Sequence, residues 1–377
     1  MPSSPMDRRV WKINKAGDLD RLRLVSESLA PPGPGEARIS VRAVGLNFAD
    51  IFATLGLYSA TPKGEFTPGL EFAGVIEAIG PARGKMSSAG SQSGKKSAKK
   101  TGKKKTAKTW KVGDRIMGVT RFGGYASRIN VDTRYLRPLP RGWDFAQGAA
   151  LPGQGLTAWY ALKELGAVKP NDVVLVHSAA GGVGLLAMAM LEKLGCKAVA
   201  TVGREEKVKF LADRTGIDPE LVIVRDEKSY ARRLDEALQR LDAPGFNIIL
   251  DAVAGPYFQP GFERLVPTGR LVLFGAADFM PTGTRPNYLK LAWRWLKRPR
   301  LDPVEMISDN RSVMAFNLIW LWDKIEELEH LFTDIDNLKL DPPHVGHHYP
   351  FDNALEAMKF FKTGRTVGKV VLDVEEE

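Results

Sequence analysis

Residues 174–184 read VLVHSAAGGVG, and no other stretch of the chain limits the fold as tightly. The apolar run Val173 to Val176 has the length of a buried strand, and GLLAMAML from Gly184 onward has the composition of a buried helix. The whole span 173–191 carries no formal charge and is long enough to mimic a membrane helix. Its central Ala-Ala-Gly-Gly divides it, so a strand, a glycine-rich turn and a helix are expected instead. Glycines without side chains let a backbone approach a pyrophosphate, whose charge is met by the amides at the helix N-terminus. Gly181 and Gly184 stand at the second and third glycine positions of that pattern, with Ala179 at the first. A tight turn with no ligand is the alternative reading.

Around this motif the chain changes character. From Ala37 to about Pro140 the signals are short, β-rich and interrupted by Gly or Pro: EARISVRAVG, GLEFAGVIEAIG, VGDRIMGV and GGYASRINV. They predict a small β-barrel. After Leu151, strand-like runs (DVVLVHS, KAVATVG, FNIILDAV, GRLVLFG) alternate with helical ones, which predicts a parallel sheet flanked by helices. SVMAFNLIWLW, 312–322, reads as one further strand, and 352–363 as an amphipathic helix before a last strand, GKVVLDV. The fold class expected is thus α/β, a β-barrel domain beside a doubly wound parallel-sheet domain. A chain of 377 residues fits two such cores.

Net charge is a poor guide to partners here. Residues 85–109 hold nine lysines and no acid, so taking those nine from the formal +10 leaves +1 for the rest. The insert is too polar to bury a core and is expected to be a disordered surface loop. It lacks interleaved aromatics, so only weak, sequence-indifferent contact with polyanions is expected of it. Cys196 is the one cysteine, which excludes an intramolecular disulfide and a thiolate-rich zinc cluster. The N-terminal MPSSPMDRRVWKINKAGD has no signal-peptide core, and a cytoplasmic location is expected.

About 19 residues after Gly184 the next strand ends at Gly203, where an NAD site commonly has an acid against the ribose 2′-hydroxyl. Arg204 and Lys207 follow, which favours a 2′-phosphate and hence NADPH; the alternative is that both are solvated charges beside Glu205 and Glu206.

The motifs AVGLNFADIFATLGLY, TPGLEFAGVIEAIG, WKVGDRIMG, GQGLTAWYAL, HSAAGGVGLLAMAM and GRTVGKVVL, in that order, resemble the medium-chain dehydrogenase/reductase superfamily over nearly the whole chain. Within it the chain is similar to the zinc-free quinone oxidoreductases of the zeta-crystallin type. The segment NYLKLAWRWLKRPRLDPVEMISDNRSVMAFNL resembles the vesicle amine transport protein-like branch. The resemblance implies a GroES-like catalytic domain from residues 1–150 and 325–377, a Rossmann domain from 151–324, and an active site in the cleft between them. Zinc-dependent relatives carry a ligating Cys and His where this chain has Asn47 and Leu70, so no metal site is expected. Without a Lewis acid, the expected reaction is hydride transfer from NADPH to a quinone or an α,β-unsaturated carbonyl, which delocalise the new charge themselves.

Asn47, Asp50 and Tyr58 correspond to the family's cleft residues. Asn47 can hydrogen-bond the cofactor or cap a turn; Tyr58 can donate to the acceptor oxygen or be a packed aromatic. The resemblance further assigns Thr157, Ala180, Gly181, Gly182 and Val183 to the cofactor, beside Gly184 of the glycine pattern and Gly203, Arg204 and Lys207 read above at the ribose. Phe274, Gly275, Ala276 and Lys369 are added as further contacts. Arg225 replaces a tyrosine of the family near the adenosine and can stack on adenine, pair with the 2′-phosphate, or point into solvent. His344, His347 and His348 lack surrounding acids or thiols and are expected in a surface or cleft loop. Residues 287–300 predict an amphipathic helix docked on the cleft or a dimer contact, with a membrane surface as the other outlet. A homodimer through 312–322 is implied by the resemblance. The alternative function is a non-catalytic or membrane-associated scaffold that keeps the fold.

Overall fold

The computed structural model describes residues 6–83 and 109–376, so the lysine insert, apart from Thr109, lies outside the described residues. The first strands are β1 (Met6–Ile13), β2 (Leu22–Leu29), β3 (Glu36–Gly45), β4 (Glu71–Ile79), β5 (Arg115–Val119), β6 (Arg128–Asp132) and β7 (Leu136–Pro138). The middle strands are β8 (Val173–Val176), β9 (Lys197–Val202), β10 (Val222–Val224), β11 (Phe246–Asp251), β12 (Leu265–Leu273) and β13 (Ser312–Ala315). Two more close the chain, β14 (Val345–Pro350) and β15 (Lys369–Asp373).

The first lobe is mixed in origin. Its seven-stranded sheet runs β14-β15-β3-β4-β5-β7, with β6 also on β3, so both chain ends build it. β3 serves three partners: residues 36–40 pair with β6, residues 43–45 with β15, and β4 follows the other edge. Register shifts at Arg38/Ile39 and Val41/Ala43 bend it, and such bulges let one strand turn from one neighbour to another. The β1–β2 hairpin joins through bridges at Val10/Ala126 and Ile13/Phe66.

The second lobe is a parallel sheet in the order β10-β9-β8-β11-β12-β13. Every pairing in it is parallel. The chain starts at the centre with β8, builds outward through β9 and β10, then crosses back to β11. Its switch point therefore lies between β8 and β11, and the crevice at their carboxyl ends is where such sheets take ligands. All four residues of β8 are buried, as its unbroken apolar run requires. The helix Gly182–Lys193 follows at once and buries seven of its side positions against the core shared by the two lobes.

Three expectations change. The strand read over 312–322 stops at Ala315, and Leu318–Leu321 forms a 3-10 turn that buries Ile319 and Leu321. The reason is the partner: Ala315 pairs with Leu273, the last residue of β12, so the ladder has nothing further to add to. The amphipathic helix Tyr288–Leu296 forms, but none of its residues is buried and Trp293 and Trp295 are each 59% exposed, so it is not docked on the cleft. His347 and His348 lie on β14 while His344 stays in the loop before it, and an acid is present: His348 Nδ1 is 3.0 Å from Asp373 Oδ2. His347 Nε2 accepts from the Val367 amide at 3.3 Å.

Candidate active-site cleft

At the switch point β8 ends and the chain must reverse into a helix within five residues. His177 N–H still bonds Leu250 O, Ala179 N–H reaches Thr201 O, and Gly181 N–H turns back to Ser178 O. Gly181 then caps the helix in an extended conformation. Glycine is required at 184, because a Cβ there would lie 2.5 Å from both Ala179 Cα and Ser178 O. The first amides of this helix have no intrahelical acceptor, so the turn presents N–H groups and the positive end of a helix dipole.

This turn floors a cleft of about 660 Å³ between the lobes. Of the residues singled out from sequence, Asn47, Tyr58, Thr157, Ala180, Gly181, Gly182, Val183, Gly184, Gly203, Lys207, Arg225, Phe274, Gly275 and Ala276 line it. Asp50, Arg204 and Lys369 do not. Arg204 is exposed beyond the end of β9, whereas Asp50 and Lys369 sit behind the wall, 0% and 1% exposed. For Asp50 and Lys369 this corrects the expectation of direct contact.

What Asp50 and Lys369 do instead is hold Asn47. Lys369 Nζ lies 2.5 Å from Glu71 Oε1 and 3.1 Å from Asn47 Oδ1. Asn47 Nδ2 donates to Glu71 Oε1 at 2.8 Å, and the Gly153 amide donates to Glu71 Oε2 at 2.7 Å. Asn47 also begins the helix Phe48–Thr54, its N–H donating to Asp50 Oδ2 at 2.8 Å. Burial pulls the Lys369 ammonium below the usual lysine value, with Glu71 working against the fall. Burial pushes Asp50 up to about 7; the Asn47 amide and Lys369 oppose this, and Oδ1 of Asp50 has no hydrogen-bond partner.

The arrangement is hostile to zinc at the family's ligand positions. Leu70 offers no lone pair, and the Asn47 oxygen faces an ammonium that would repel a second cation. Among the described residues no group of three or more His, Cys, Asp and Glu could hold a metal ion.

The far end of the cleft is cationic. Lys207 is 8% exposed, and its Nζ donates to the carbonyls of Gly364 and Thr366 at 2.7 and 2.6 Å. Burial, with Arg225 and Arg204 nearby, pulls it down to about 8. Arg225 donates to Thr201 Oγ1 at 3.1 Å and Ser178 Oγ at 3.4 Å, and its guanidinium carbon is 5.8 Å from the Tyr257 ring centroid. It turns into the cleft and not into solvent. Beneath it, His177 Nδ1 lies 2.8 Å from Asp251 Oδ1 and the Tyr230 hydroxyl 2.9 Å from His177 Nε2. Burial works to raise Asp251, but His177 and the amides of Ala254 and Val253 hold it below the usual carboxylate range.

Sequence reasoning passed over Glu71, Gln154, His177, Asp251 and Asn317. Glu71 and His177 lie inside quoted motifs and Gln154 stands three residues before Thr157, so their positions carried a signal. Gln154 is 6% exposed, lines the cleft, and leaves Oε1 without a partner against Gly182. Asn317 had no local signal, because its partner, the Tyr58 hydroxyl at 2.7 Å, comes from the other lobe.

Residues 33–141 match the family described as alcohol dehydrogenase GroES-like domain, and residues 222–372 the one described as zinc-binding dehydrogenase. The chain is 29% identical to the human synaptic vesicle membrane protein VAT-1 homolog over 364 residues, 94% of this chain and 84% of that one. Among solved structures it is similar to a mycobacterial protein complexed with NADPH, at 28% identity and a TM-score of 0.76, covering 97% of this chain and 99% of that one. It is also similar to a quinone oxidoreductase of Pseudomonas syringae, at 26% identity and a TM-score of 0.72, covering 98% and 100%.

Proposed function

The chain belongs to the medium-chain dehydrogenase/reductase superfamily, near its VAT-1 branch, and carries that superfamily's oxidoreductase fold; we propose that it is a zinc-independent, NADPH-dependent reductase of quinones or α,β-unsaturated carbonyls. One observation carries the reading: a glycine turn and a buried cationic end share a single cleft with an apolar end that holds a neutral phenol. The mycobacterial relative solved with NADPH supports the cofactor, and the Pseudomonas quinone oxidoreductase supports the acceptor.

The residues fit the cofactor. The side-chain-free face of Gly184 and the amides of the Gly182–Lys193 helix suit a pyrophosphate. Arg225 and Lys207 suit the 2′-phosphate, with no acid at Gly203 to oppose it. Arg204, exposed beside Gly203, stands outside the cleft wall, and the two carbonyls on Lys207 leave that ammonium one free proton. NADPH supplies a hydride when bound. Asn47, fixed by Glu71 and Lys369, forms the wall between the glycine turn and the acceptor end. Tyr58, pushed up to about 12 by burial, keeps its proton and donates to an acceptor oxygen.

The functional division that goes with this reading is 1–150 with 325–377 as the catalytic unit and 151–324 as the cofactor unit. A homodimer through the outer edge of β13, which ends the parallel sheet, also belongs to it. The exposed Trp293 and Trp295 flanked by Lys297 and Arg298 favour a peripheral contact for the helix Tyr288–Leu296. No helix among the described residues is long and apolar enough to cross a membrane.

Titration calorimetry with NADPH, followed by NADPH consumption over a panel of quinones and enones, tests the proposal. Binding below the millimolar range with turnover of at least one acceptor class is expected. No affinity at millimolar NADPH would sink it, and binding without turnover on any acceptor would turn the reading towards a scaffold.

A further inference from the structure

Two kinds of tie close the cleft, and they differ in permanence. At the cofactor end the lobes are joined through backbone groups: Gly368 N–H bonds Ala180 O at 2.8 Å, and Lys207 reaches the carbonyls of Gly364 and Thr366. At the acceptor end the tie is between two side chains that both line the cleft, Tyr58 and Asn317, 259 residues apart in sequence. Tyr58 stands in the loop after the helix Phe48–Thr54, and Asn317 in the turn after β13. Both are half-buried at the rim, beside the exposed Ser59.

The direction of that bond is fixed by chemistry. The Tyr58 oxygen lies 2.7 Å from Asn317 Oδ1, an atom that can only accept, so the phenol donates. Asn317 Nδ2 points to Ser59 Oγ at 3.3 Å, which keeps the amide in this orientation. A phenol has one proton. While Asn317 takes it, Tyr58 cannot donate to an acceptor oxygen in the cleft.

We propose that Asn317 is a positioning residue for the acceptor: its amide oxygen holds the Tyr58 hydroxyl across the rim of the cleft, and an acceptor carbonyl binds productively by taking that hydrogen bond over. The proposal rests on the reductase reading of the same cleft and adds a selection rule to it. Phe52, Leu57, Phe316, Leu318 and Trp322 line the same cleft and offer no side-chain acceptor, and the nearby Ser59 oxygen already takes a hydrogen bond from Asn317 Nδ2. A donor half-buried at an apolar rim loses part of a hydrogen bond when it has no protein partner. Acceptors that bring a carbonyl oxygen to Tyr58 replace what Asn317 gave up, and those that do not are disfavoured. Burial keeps the phenol protonated through the whole neutral range, so it remains a donor throughout the exchange.

The test uses the full chain with Asn317→Ala, Tyr58→Phe and the double variant, NADPH, and a 1,4-naphthoquinone as acceptor. Removing Asn317 takes away a competitor worth a typical net hydrogen bond, so the KM for the quinone is expected to fall by about three- to tenfold. NADPH affinity should not move. Tyr58→Phe should lower kcat, and in that background Asn317→Ala should change neither constant. A KM that rises or stays level on Asn317→Ala, or an effect that persists without the Tyr58 hydroxyl, overturns the proposal. Should the wild-type chain turn over neither a quinone nor an enone, the proposed function fails separately, and hydrogen exchange decides the tie itself. Both single variants should then speed exchange across residues 55–61 and 315–322, with no further gain in the double variant. Unchanged exchange in either single variant refutes it.

Discussion

Asp50→Asn gives a stability difference whose size and pH dependence follow from the buried carboxyl. In the folded chain Asp50 titrates at about 7, against 3.8 for a free aspartate. The folded state therefore holds on to this proton more tightly than the unfolded chain does. Between pH 3.8 and 7 the unfolded chain has lost the proton and the folded chain has not, so stability falls as pH rises through that window. Below 3.8 the carboxyl costs nothing by this route; above 7 the cost is full. At about 1.4 kcal/mol per unit it reaches about 4 kcal/mol by order of magnitude. Asparagine has no charge to desolvate and keeps an oxygen for the Asn47 amide and the Tyr125 hydroxyl, which Asp50 Oδ2 serves at 2.8 and 3.3 Å. Its NH2 replaces the partnerless Oδ1, much as the protonated carboxyl does at low pH. The variant should match wild type near pH 4 and exceed it by about 4 kcal/mol at pH 8, the gap opening through the window between. Urea unfolding followed by circular dichroism at pH 5, 6, 7 and 8 reads this directly. Parallel curves for the two proteins, or a variant less stable at pH 8, would refute the account of Asp50.

Replacing Arg225 by Met should weaken NADPH binding at least about tenfold while leaving NADH nearly unchanged in calorimetry, since a charge-assisted pair to the extra phosphate is what the change removes. Equal loss with both cofactors would contradict the assignment. Ala254 has φ 59° and ψ −150°, a region that glycine alone occupies readily. Ala254→Gly should therefore stabilise the chain by about 1 kcal/mol, the relieved strain less the extra backbone entropy, and a lower denaturation midpoint would count against it. Lys369→Met leaves the Glu71 carboxylate, 0% exposed, without its cation, and should cost about 3–5 kcal/mol. Adding Glu71→Gln should recover most of that in urea unfolding, and a double variant as unstable as the sum of the singles would mean that the two do not act as a pair.

How much of this was legible depended on whether the information is local. The parallel sheet was, because strands buried on both faces leave unbroken apolar runs such as VVLV, and the turn after it needs glycine at 184 on steric grounds. The end of β13 was not: AFNLIWLW looks as apolar as the strand before it, and only the end of β12 at Leu273 stops the ladder. Asp50 and Lys369 were found as residues of the site but not as residues behind its wall. A charged side chain in a motif shows that its position is special; which way it points is decided by β3, β4 and β15 meeting around it. The same holds for Tyr288–Leu296, whose spacing reveals an apolar face but not whether anything covers it.

The distribution of charge along the cleft narrows the chemistry further than the motifs did. Among the described residues lining it, the basic side chains are His177, Lys207 and Arg225, all on the cofactor side of Asn47. Lys369, next to Asn47, lies behind the wall and is matched by Glu71, and the donor hydrogens of Asn47 are turned toward Glu71 and Gly45 O. A simple ketone reduced here would develop an alkoxide charge with only neutral hydroxyl and amide groups such as Tyr58, Ser59 and Asn317 lining that end to meet it, far less than a metal ion supplies. A quinone or conjugated enone spreads the charge over its own framework and needs little more than one well-aimed donor. The site has that donor in Tyr58, held by Asn317 until a carbonyl oxygen competes for it.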